Sequence, residues 1–304
     1  VAVELPVTEL SKVQIGQADA PIVQRIDARA IQVRVPPGKA GPAAVSARSG
    51  DEPFAGTPLF GYSPHPYLVV RGEELPDLRK KFNEPAFADY RTLLLRQADE
   101  AMQLKLPVDN EPFNRLAGPM DNLLWAYLYT QKPAYREKAL AIAAQIAAQR
   151  QSVDFHTMCF GAMGRAYDGL FADLDGPQRM MFQEYLDYAV RCYDRAGGDW
   201  FYNIRNNPSN TVAVSNGGAG QASLALMHST PLAAKGAQRA HEQIKTFCDV
   251  VLAPDGGCVE GTLYWNYGLG HYLLFASAYR NAIGEDGGLL SHPNLERNWQ
   301  FAET

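Results

Sequence analysis

The chain has 304 residues, 46% of them hydrophobic, which is enough to bury a sizeable core in one large domain or two of ordinary size. Its 28 Lys and Arg residues face 33 Asp and Glu residues, for a formal net charge of -5, and no basic run could follow a phosphate backbone, so nucleic acid is not an expected partner. The longest apolar runs are too short to cross a bilayer, and we expect no membrane span.

Residues 1–64 are predicted to form an extended β and irregular segment. Residues 21–35 alternate apolar and polar side chains with the period of two that is typical of a strand with one buried face. Residues 36–58 are rich in Pro, Gly and Ala and have no period, which predicts a long irregular connection. The chain opens with VAVELPVTEL, without an initiator Met or a basic and apolar leader. Removal of an upstream segment is therefore expected, and it favours a periplasmic or secreted location.

Residues 65–304 show the helical period, which predicts an all-α domain. Three stretches illustrate the apolar stripe of an amphipathic helix: Ala139, Ile142, Ala143 and Ile146; Met181, Tyr185, Tyr188 and Cys192; Ile244, Phe247, Cys248 and Val251. Helix-stop signals lie between such stretches, at Lys132-Pro133, Gly176-Pro177, Gly197-Gly198, Ala253-Pro254 and Gly287-Gly288. Helices joined by short turns predict a bundle, a solenoid or a closed ring of helical hairpins. No fixed repeat is visible, which argues against the common solenoid families.

The four cysteines have no spacing typical of a metal site. Cys159, Cys192, Cys248 and Cys258 are well separated, without a CxxC pair or neighbouring paired histidines. We therefore expect them to be small buried apolar residues, and we expect no metal and no cofactor.

The stretch NNPSNTVAVSNGG, at residues 206–218, is unusually rich in asparagine. Asn216 and the two glycines after it are predicted to form the loop and cap before a helix that starts at AGQASLALM. Asn207 and Asn210 lie upstream, beside Arg205, and a single cap needs only one side chain. These amides therefore predict a concave hydrogen-bonding surface. The GGAG at 217–220 has neither a preceding strand nor a GK[ST] sequence, so nucleotide binding is not expected.

A second dense stretch, PDGGCVEGTLYWNYGLGHYLLF, covers residues 254–275. If it is helical beyond Thr262, then Tyr264, Tyr267 and His271 share one face, at positions i, i+3 and i+7. A different, core-facing stripe would then consist of Tyr272, Ala276, Tyr279 and Ile283. Simple packing is the alternative role for these aromatic residues, and two glycines within the stretch weaken the helix prediction.

Four stretches together resemble one family. HPYLVVRGEELPDLRKKF at 65–82, AYLYTQKPAYREKALAIA at 126–143, the asparagine stretch that continues into NGGAGQASLAL, and DGGCVEGTLYWNYG are similar to the α/α-toroid polysaccharide lyases, in the heparinase II/III-like and oligoalginate-lyase group. The last two stretches, within residues 205–268, are the specific ones. The resemblance implies an (α/α) toroid at 65–304 whose ring of helical hairpins is incomplete. Many relatives continue into a C-terminal β-sandwich, so either this chain is truncated or its branch consists of the toroid alone.

The resemblance also implies the site residues. An Asn or His in the first stretch and a Tyr in the second face each other across the cleft of the family, and by position these fall on Asn210 and Tyr264. Position 208 is Pro where relatives often carry His or Trp, which puts the geometry of this loop in doubt.

The implied reaction is β-elimination on an acidic polysaccharide or oligosaccharide. A base removes the C5 proton of a uronate while Asn210, with Asn207 or Arg205, neutralises the carboxylate. Tyr264 is the predicted proton carrier, and because an ordinary tyrosine has a pKa of about 10, a cation beside it, Arg205 or His271, is required. If one phenol cannot serve both steps, a histidine is the base. His271 and His156 are the candidates for that base, and the predicted sugar-stacking residues are Trp200, Tyr202, Trp265 and Tyr267.

Two alternatives stay open. A glycoside hydrolase on the same helical ring would need two opposed carboxylates, for which Asp168, Asp199, Asp255 and Glu260 are available. A non-catalytic glycan-binding protein would use the same aromatic and amide groups without chemistry.

Overall fold

The computed structural model describes residues 11–15, 17–25, 31–34, 41–49, 52–53, 59–62, 65–106, 114–148, 157–196 and 202–298. The chain divides into two compact units, one comprising Val1–Pro64 with Met227–Pro231 and the other His65–Leu226 with Leu232–Thr304. The first unit contains the strands and the second the helices.

The strands of the first unit pair entirely in antiparallel fashion. They are β1 (Lys12–Ile15), β2 (Ala18–Asp19), β3 (Ile22–Arg25), β4 (Ile31–Val33), β5 (Gly41–Ser49), β6 (Glu52–Pro53) and β7 (Leu59–Tyr62). One sheet has the order β2-β1-β5-β6, with β7 also paired to β5, and β3 pairs with β4 separately. The period-two pattern at 21–35 thus corresponds to β3 and β4.

The prediction of an irregular connection at 36–58 was wrong for residues 41–49. Gly41–Ser49 is the longest strand of the described part of this unit, and it pairs with both β1 and β7. Its small Gly, Ala and Ser residues carry little strand propensity. Backbone pairing with two neighbours forms the strand instead, which is a tertiary effect that local composition does not report.

The second unit is helical, as predicted. Its helices are α1 (Leu75–Phe82), α2 (Ala88–Met102), α3 (Asn114–Thr130), α4 (Pro133–Ala148), α5 (Thr157–Leu170), α6 (Gly176–Arg195), α7 (Asn210–Leu226), α8 (Pro231–Val250), α9 (Thr262–Ile283) and α10 (Pro293–Glu296). Pro133 begins α4, Gly176-Pro177 begins α6 after its Asp175 cap, and Pro254 follows α8. Gly197-Gly198 lies outside the described residues. Within the described part of the chain, none of the helices combines the length and the apolar character that crossing a bilayer requires.

The predicted apolar stripes are buried, with one shift. The stripes of α4 and α8 are buried as predicted. In α6 the buried face is centred on Phe182, Leu186 and Ala189, whereas Met181 and Tyr188 are only partly buried. Cys159, Cys192 and Cys248 are buried thiols, and Cys258 is partly buried; all four are free.

Alternate helices form a row of parallel neighbours. In each neighbouring pair, residues later in one helix contact residues later in the other, so the two helices run in the same direction. For α3 and α5 the contacts are Asp121 with Arg165 and Leu124 with Gly169, and for α5 and α7 they are Gly161 with Gly218 and Gly164 with Gln221. For α7 and α9 they are Asn210 with Gly268, Gly217 with His271, and Gly220 with Phe275. The row is curved, since Arg115 of α3 and His271 of α9 line the same cavity. Helices α4 and α6 contact each other and pack on the members of this row.

Glycines set the spacing between α7 and its neighbours. A Cβ at Gly218 would overlap the carbonyl oxygen of Thr157 in α5, and one at Gly220 would overlap the ring of Phe275 in α9. The run NGGAG is therefore a packing surface inside a helix. It is not a glycine-rich loop of the kind that binds phosphate.

The prediction for Asn216 was also wrong. Helix α7 begins at Asn210, so Asn216 lies in its second turn, fully buried. Its Oδ1 accepts a hydrogen bond from the hydroxyl of Tyr193, and its Nδ2 donates to the backbone oxygens of Val212 (2.9 Å) and Tyr202 (3.2 Å). The amide is satisfied on both sides and ties α6 and the 202–209 loop to α7.

Basic side chains bind the carbonyl groups at the ends of several helices. The carboxyl end of a helix leaves carbonyls without partners and carries partial negative charge, so a cation there is favourable. The pairs are Arg91 with Phe82 at the end of α1, Lys138 with Leu104 after α2, Arg79 with Leu128 in α3, Arg179 with Phe171 after α5, and Arg239 with Tyr193 in α6. Many of the basic residues are therefore used to fix the turns between helices.

We expect Gly218→Ala to prevent folding or to lower the free energy of unfolding by several kcal/mol, because the added methyl meets backbone that cannot move away. The matched control is Gly270→Ala in α9, where a Cβ meets no atom within 4 Å. That change should raise the free energy of unfolding by about 0.5–1 kcal/mol through helix propensity. Urea denaturation followed by circular dichroism measures both, and equal stability of Gly218→Ala and the wild type would contradict the packing role.

Candidate functional site

The start of α7 and the start of α9 meet, so the two stretches singled out from the sequence are neighbours. The backbone N–H of Asn210 and its side-chain Nδ2 both donate to the carboxylate of Glu260, the latter over 2.9 Å. Glu260 directly precedes Gly261, the N-cap of α9. One turn beyond Tyr264, Gly268 lies against Asn210, since a Cβ at Gly268 would lie 3.0 Å from the Asn210 Cβ.

The amide of Asn210 serves the helix start. Asn210 is 5% exposed, and its Nδ2 is hydrogen-bonded to a carboxylate. A substrate carboxylate at the same amide would lie beside the negative charge of Glu260, which is unfavourable. Asn210 therefore links the start of α7 to Glu260, and its predicted carboxylate-neutralising role stays a prediction that this arrangement does not favour.

The loop before α7 is fixed by its own hydrogen bonds. Asn207 is 4% exposed and donates from Nδ2 to Thr211 Oγ1 over 2.7 Å, and the backbone N–H of Ile204 donates to Gln243 Oε1 over 2.9 Å. Asn207 is thus a structural residue of this loop.

Arg205 is exposed, and within the described part of the chain its guanidinium forms no ion pair or hydrogen bond. It is a cation mounted on an ordered loop at the amino end of α7.

Tyr202 and Trp265, two of the predicted sugar-stacking residues, are held by contacts within the protein. Two other predicted site residues lie outside the described part of the chain. Tyr202 is 2% exposed and packs against Tyr193, so its ring offers no surface to a sugar and that prediction was wrong. The indole Nε1 of Trp265 donates to Asn298 Oδ1 over 2.6 Å, which fixes the ring against the C-terminal part of the described chain. His156 and Trp200 lie outside the described residues.

Helix α9 is continuous from Thr262 to Ile283 despite its glycines, so the predicted face exists. Tyr264 is 50% exposed, and its hydroxyl has no hydrogen-bond partner among the described residues. Tyr267 is 43% exposed, and its hydroxyl lies 3.1 Å from the sulfur of Met158. Its ring contacts His271 edge-on, with the centroids 5.1 Å apart. Of the predicted core stripe, Tyr272 and Ala276 are fully buried, while Ile283 is 40% exposed.

A cavity of about 380 Å³ lies on the concave side of the row of parallel helices. Its lining comes from all four helices: Arg115, Ala117, Gly118 and Asp121 of α3, Met158, Gly161 and Arg165 of α5, Gly218 and Gln221 of α7, and His271 and Leu274 of α9. Met158 and His271, which both contact Tyr267, belong to this lining. The phenol of Tyr267 therefore lies at the rim of the cavity.

A buried guanidinium is fixed in the cavity wall. Arg165 is 6% exposed and binds Asp121 in bidentate fashion, Nε to Oδ1 over 2.9 Å and Nη2 to Oδ2 over 2.5 Å. Its Nη1 donates to Gln221 Oε1 over 2.6 Å, and Gln221 Nε2 donates to the backbone oxygen of Gly217 over 2.9 Å. Buried polar groups that are all satisfied hold one conformation, so the charge of Arg165 is preorganised.

His271 is neutral at ordinary pH. Burial, reinforced by the nearby Arg165 charge and opposed by Asp121, lowers the pKa of its imidazole to about 4. It is therefore not the cation that the sequence analysis placed beside Tyr264. Its ring nitrogens make no hydrogen bond to any described residue, although the ring lines the cavity. Burial likewise raises the pKa of Tyr267, whose phenol keeps its proton.

The basic side chains in the cavity lining outnumber the acidic ones. Its lining carries two guanidiniums, from Arg115 and Arg165, against the single carboxylate of Asp121, and His271 is uncharged. Of its lining, Arg115 and Ala117 lie in the first turn of α3 and Met158 in the first turn of α5, where the helix dipole adds partial positive charge. The lining therefore differs in charge from the chain as a whole, whose net charge is -5.

Sequence reasoning missed Asp121, Arg165 and Gln221. The available signal was a charged residue inside the otherwise small and apolar run MCFGAMGRAY of α5. Its partners lie 44 residues before it and 56 residues after it, on other helices, so no local spacing connects them.

The carboxylates required for a hydrolase are committed to other bonds. Asp168 is 1% exposed and accepts from the backbone N–H groups of Tyr67 and Leu68, and its Oδ1 lies 2.6 Å from Nδ1 of His65. Asp255 accepts from the N–H of Gly257 in its turn, and Glu260 caps α7. Asp199 lies outside the described residues.

In the described portion, no group of three or more His, Cys, Asp or Glu side chains is arranged to hold a metal ion. Comparison of the chain with protein-family models and with curated proteins gave no match.

We expect the NMR titration of the His271 imidazole to have a midpoint near pH 4. In the unfolded chain a histidine titrates near pH 6.5, so between about 6.5 and 4 the unfolded state binds a proton that the folded state does not. The contribution of His271 to stability is therefore intact above about pH 6.5 and falls as the pH is lowered to about 4. Comparing the urea midpoints of the wild type and His271→Gln across this range isolates that slope, and a midpoint near 6.5 would contradict the burial argument.

We expect Glu260→Ala to lower the free energy of unfolding by roughly 1–3 kcal/mol, because both the backbone N–H and the buried amide of Asn210 lose their acceptor. Glu260→Gln keeps one acceptor oxygen and should lose less. Asp255→Ala, which removes a turn contact in the same loop, is the control for general loosening. If Glu260→Ala and Asp255→Ala were equally mild, Glu260 would not be the link between α7 and α9.

Proposed function

We propose that the protein is a polysaccharide lyase that cleaves a uronate-containing glycan, of the alginate, glucuronan or glycosaminoglycan type, by β-elimination. The observation that carries the proposal is an exposed, unengaged phenol on α9 together with a cavity on the concave side of parallel helices, whose wall holds the fixed guanidinium of Arg165. A periplasmic or secreted location fits a polymer of this kind.

The fold we propose for this unit is part of an (α/α) toroid. Four lines of support come from α3, α5, α7 and α9: they alternate with other helices along the chain, they are mutually parallel, they form a curved row, and α4 and α6 pack on its members. Helical hairpins arranged around a concave side give this pattern.

In the proposed reaction, the phenolate of Tyr264 takes the C5 proton of the uronate. The electrons of the C5–H bond form the C4=C5 double bond, the bond between C4 and its glycosidic oxygen breaks, and the phenol returns its proton to the leaving oxygen. One group can serve both steps when the C5 proton and the leaving oxygen are on the same side of the ring. No electron acceptor is needed, since the reaction is redox-neutral.

Neutralising the substrate carboxylate falls to Arg205 in this proposal. Deprotonation at C5 places negative charge on the carboxylate oxygens, and a fixed donor at such a position contributes roughly 3 kcal/mol to related reactions. Arg205 is exposed, on a loop that is fixed by hydrogen bonds, and in the described structure its charge is unpaired.

His271 is too far along α9 to share these steps. It follows Tyr264 by seven residues, which corresponds to roughly 10 Å of helix. Side chains of a helix lean toward its amino end, so the hydroxyl of Tyr264 extends away from the imidazole. Two groups so separated do not reach the same C5 and C4 atoms, and we assign His271 to ligand binding in place of the base role.

We expect Tyr264→Phe to reduce turnover at least ~100-fold, the usual scale for loss of a proton-transferring group, with little change in glycan binding. Turnover is followed by the ultraviolet absorbance of the C4=C5 double bond on alginate, glucuronan, heparan and pectin. Tyr267→Phe is the matched control, because its hydroxyl contacts Met158, and it should keep turnover within about tenfold. New reducing ends without the ultraviolet absorbance would identify a hydrolase. Glycan binding without either product would identify a glycan-binding protein. Full turnover by the Tyr264→Phe variant would show that this tyrosine has no part in the mechanism.

A further inference from the structure

We propose that Asn298 is a positioning residue for Tyr264 and that it acts through the indole of Trp265. Residues 292–298, called the strap below, connect the end of α8 to the first turn of α9. This inference deepens the proposed function and rests on it for the chemistry at Tyr264. The hydrogen bonds that carry it lie within the protein and do not depend on the identity of the substrate.

The first turn of α9 is exposed over most of its surface. Of residues 261–267, all but Trp265 are exposed, and Trp265 is partly buried. The N-cap, Gly261, has no side chain that could accept a hydrogen bond from the first amides of the helix. Helix ends with few buried contacts open most readily. The position of this turn therefore depends on the hydrogen bonds made by Glu260 and Trp265.

Asn298 holds the indole of Trp265 in place. It is 3% exposed and bonded at both ends of its amide: Oδ1 accepts from Trp265 Nε1 over 2.6 Å, and Nδ2 donates to the backbone oxygen of Gly256 over 2.7 Å. A Cβ at Gly256 would lie 2.3 Å from the backbone oxygen of Arg297, so this turn lies directly against the strap. A buried amide bonded at both ends keeps one orientation, because any other leaves a polar group unpaired.

The strap is itself attached to the end of α8. Asn294 Nδ2 donates to the backbone oxygens of Cys248 and Leu252, each over 3.0 Å, and Arg297 Nη1 donates to that of Pro254 over 2.6 Å. These carbonyls lie in the last turn of α8 or directly after it, where backbone oxygens have no helical partner. The strap therefore carries the position of α8 to the start of α9.

The phenol of Tyr264 is placed by the backbone of α9. Its hydroxyl has no hydrogen-bond partner among the described residues, so no side-chain contact of the hydroxyl fixes it. Tyr264 and Trp265 are consecutive, and a helix turns by about 100° per residue, so an indole held in place also fixes the direction of the phenol. A shift of about 1 Å in a reacting group can cost about 100-fold in rate. Asn298 therefore affects the proton transfer without contacting the substrate.

The test compares kcat and KM of the wild type, Asn298→Ala and Trp265→Phe on the uronate polymer that gives the double-bond absorbance. The two variants remove the same hydrogen bond, one from each side, so Trp265→Phe carries the comparison if Asn298→Ala does not fold. We expect each to lower kcat roughly tenfold or more and to leave KM within about twofold, because the substrate still binds. The double variant should lose no more than the single variants, since both act on one interaction.

Asp175→Ala is the matched control for a general loss of stability. It removes the N-cap of α6, on another helix, and should lower the urea midpoint while it keeps kcat within about twofold.

Hydrogen exchange of the backbone amides of Trp265, Asn266 and Tyr267 gives a readout that needs no turnover. The N–H of Trp265 donates to the oxygen of Gly261 over 2.9 Å, so this amide reports opening of the first turn of α9. We expect Asn298→Ala to speed the exchange roughly tenfold or more, and Asp175→Ala to leave it within about twofold.

Failure of the positioning role and failure of the lyase proposal are distinguishable. Unchanged exchange or full kcat in Asn298→Ala, or an equal loss of kcat in Asp175→Ala, would overturn the positioning role even if the wild type produces the double bond. Losses that multiply in the double variant would overturn the route through Trp265. Faster exchange as expected, together with no double-bond product from any uronate polymer, would support the strap and overturn the lyase reaction.

Discussion

The close approach of α7 to α5 and α9 is the constraint on which the rest of the helical unit depends. Glycines at the contact points, above all Gly218 and Gly220, let the helix backbones come nearer than side chains would permit. Because α7 is in the middle of the row, its spacing determines whether Arg165 reaches Gln221 and whether His271 faces the same cavity as Arg115. Protein interiors are close-packed, so a single methyl group added at such a place would disturb the whole contact between the helices.

The polar residues of the unit divide into two groups by what they bond. Asp168, Asn216, Glu260 and the basic residues at the helix ends are paired with backbone groups or with one another, and they hold turns and helix starts in place. Arg205, Tyr264 and His271 have no such partner among the described residues. The second group is the one available to a ligand, and its members lie on the loop before α7 and on one face of α9. The proposed function is built on that distinction.

The cavity differs in local charge from the chain as a whole, whose net charge is -5. Surface charges of both signs are screened by salt and act mainly at short range. The charge inside a partly enclosed cavity is screened less, and there the cations outnumber the carboxylates. The same surroundings keep His271 neutral, since its charged form would be buried beside Arg165. The net charge of the chain therefore does not report the charge inside this cavity.

The order of helices, their main boundaries and most of their buried faces could be read from the residues, because a stripe of apolar side chains and a Pro or Gly stop are local properties. The strand at 41–49 could not, since its hydrogen bonds come from residues remote in the chain. Only part of the candidate site could be predicted from the sequence. Tyr264, Tyr267 and His271 fell on one face of α9 as the spacing indicates, but the salt bridge of Arg165 with Asp121, the engagement of Asn210 by Glu260 and the neutrality of His271 depend on distances between separate helices. Periodicity reports that a side chain is buried; which atoms surround it, and hence its charge and its availability, is fixed only when the helices are assembled.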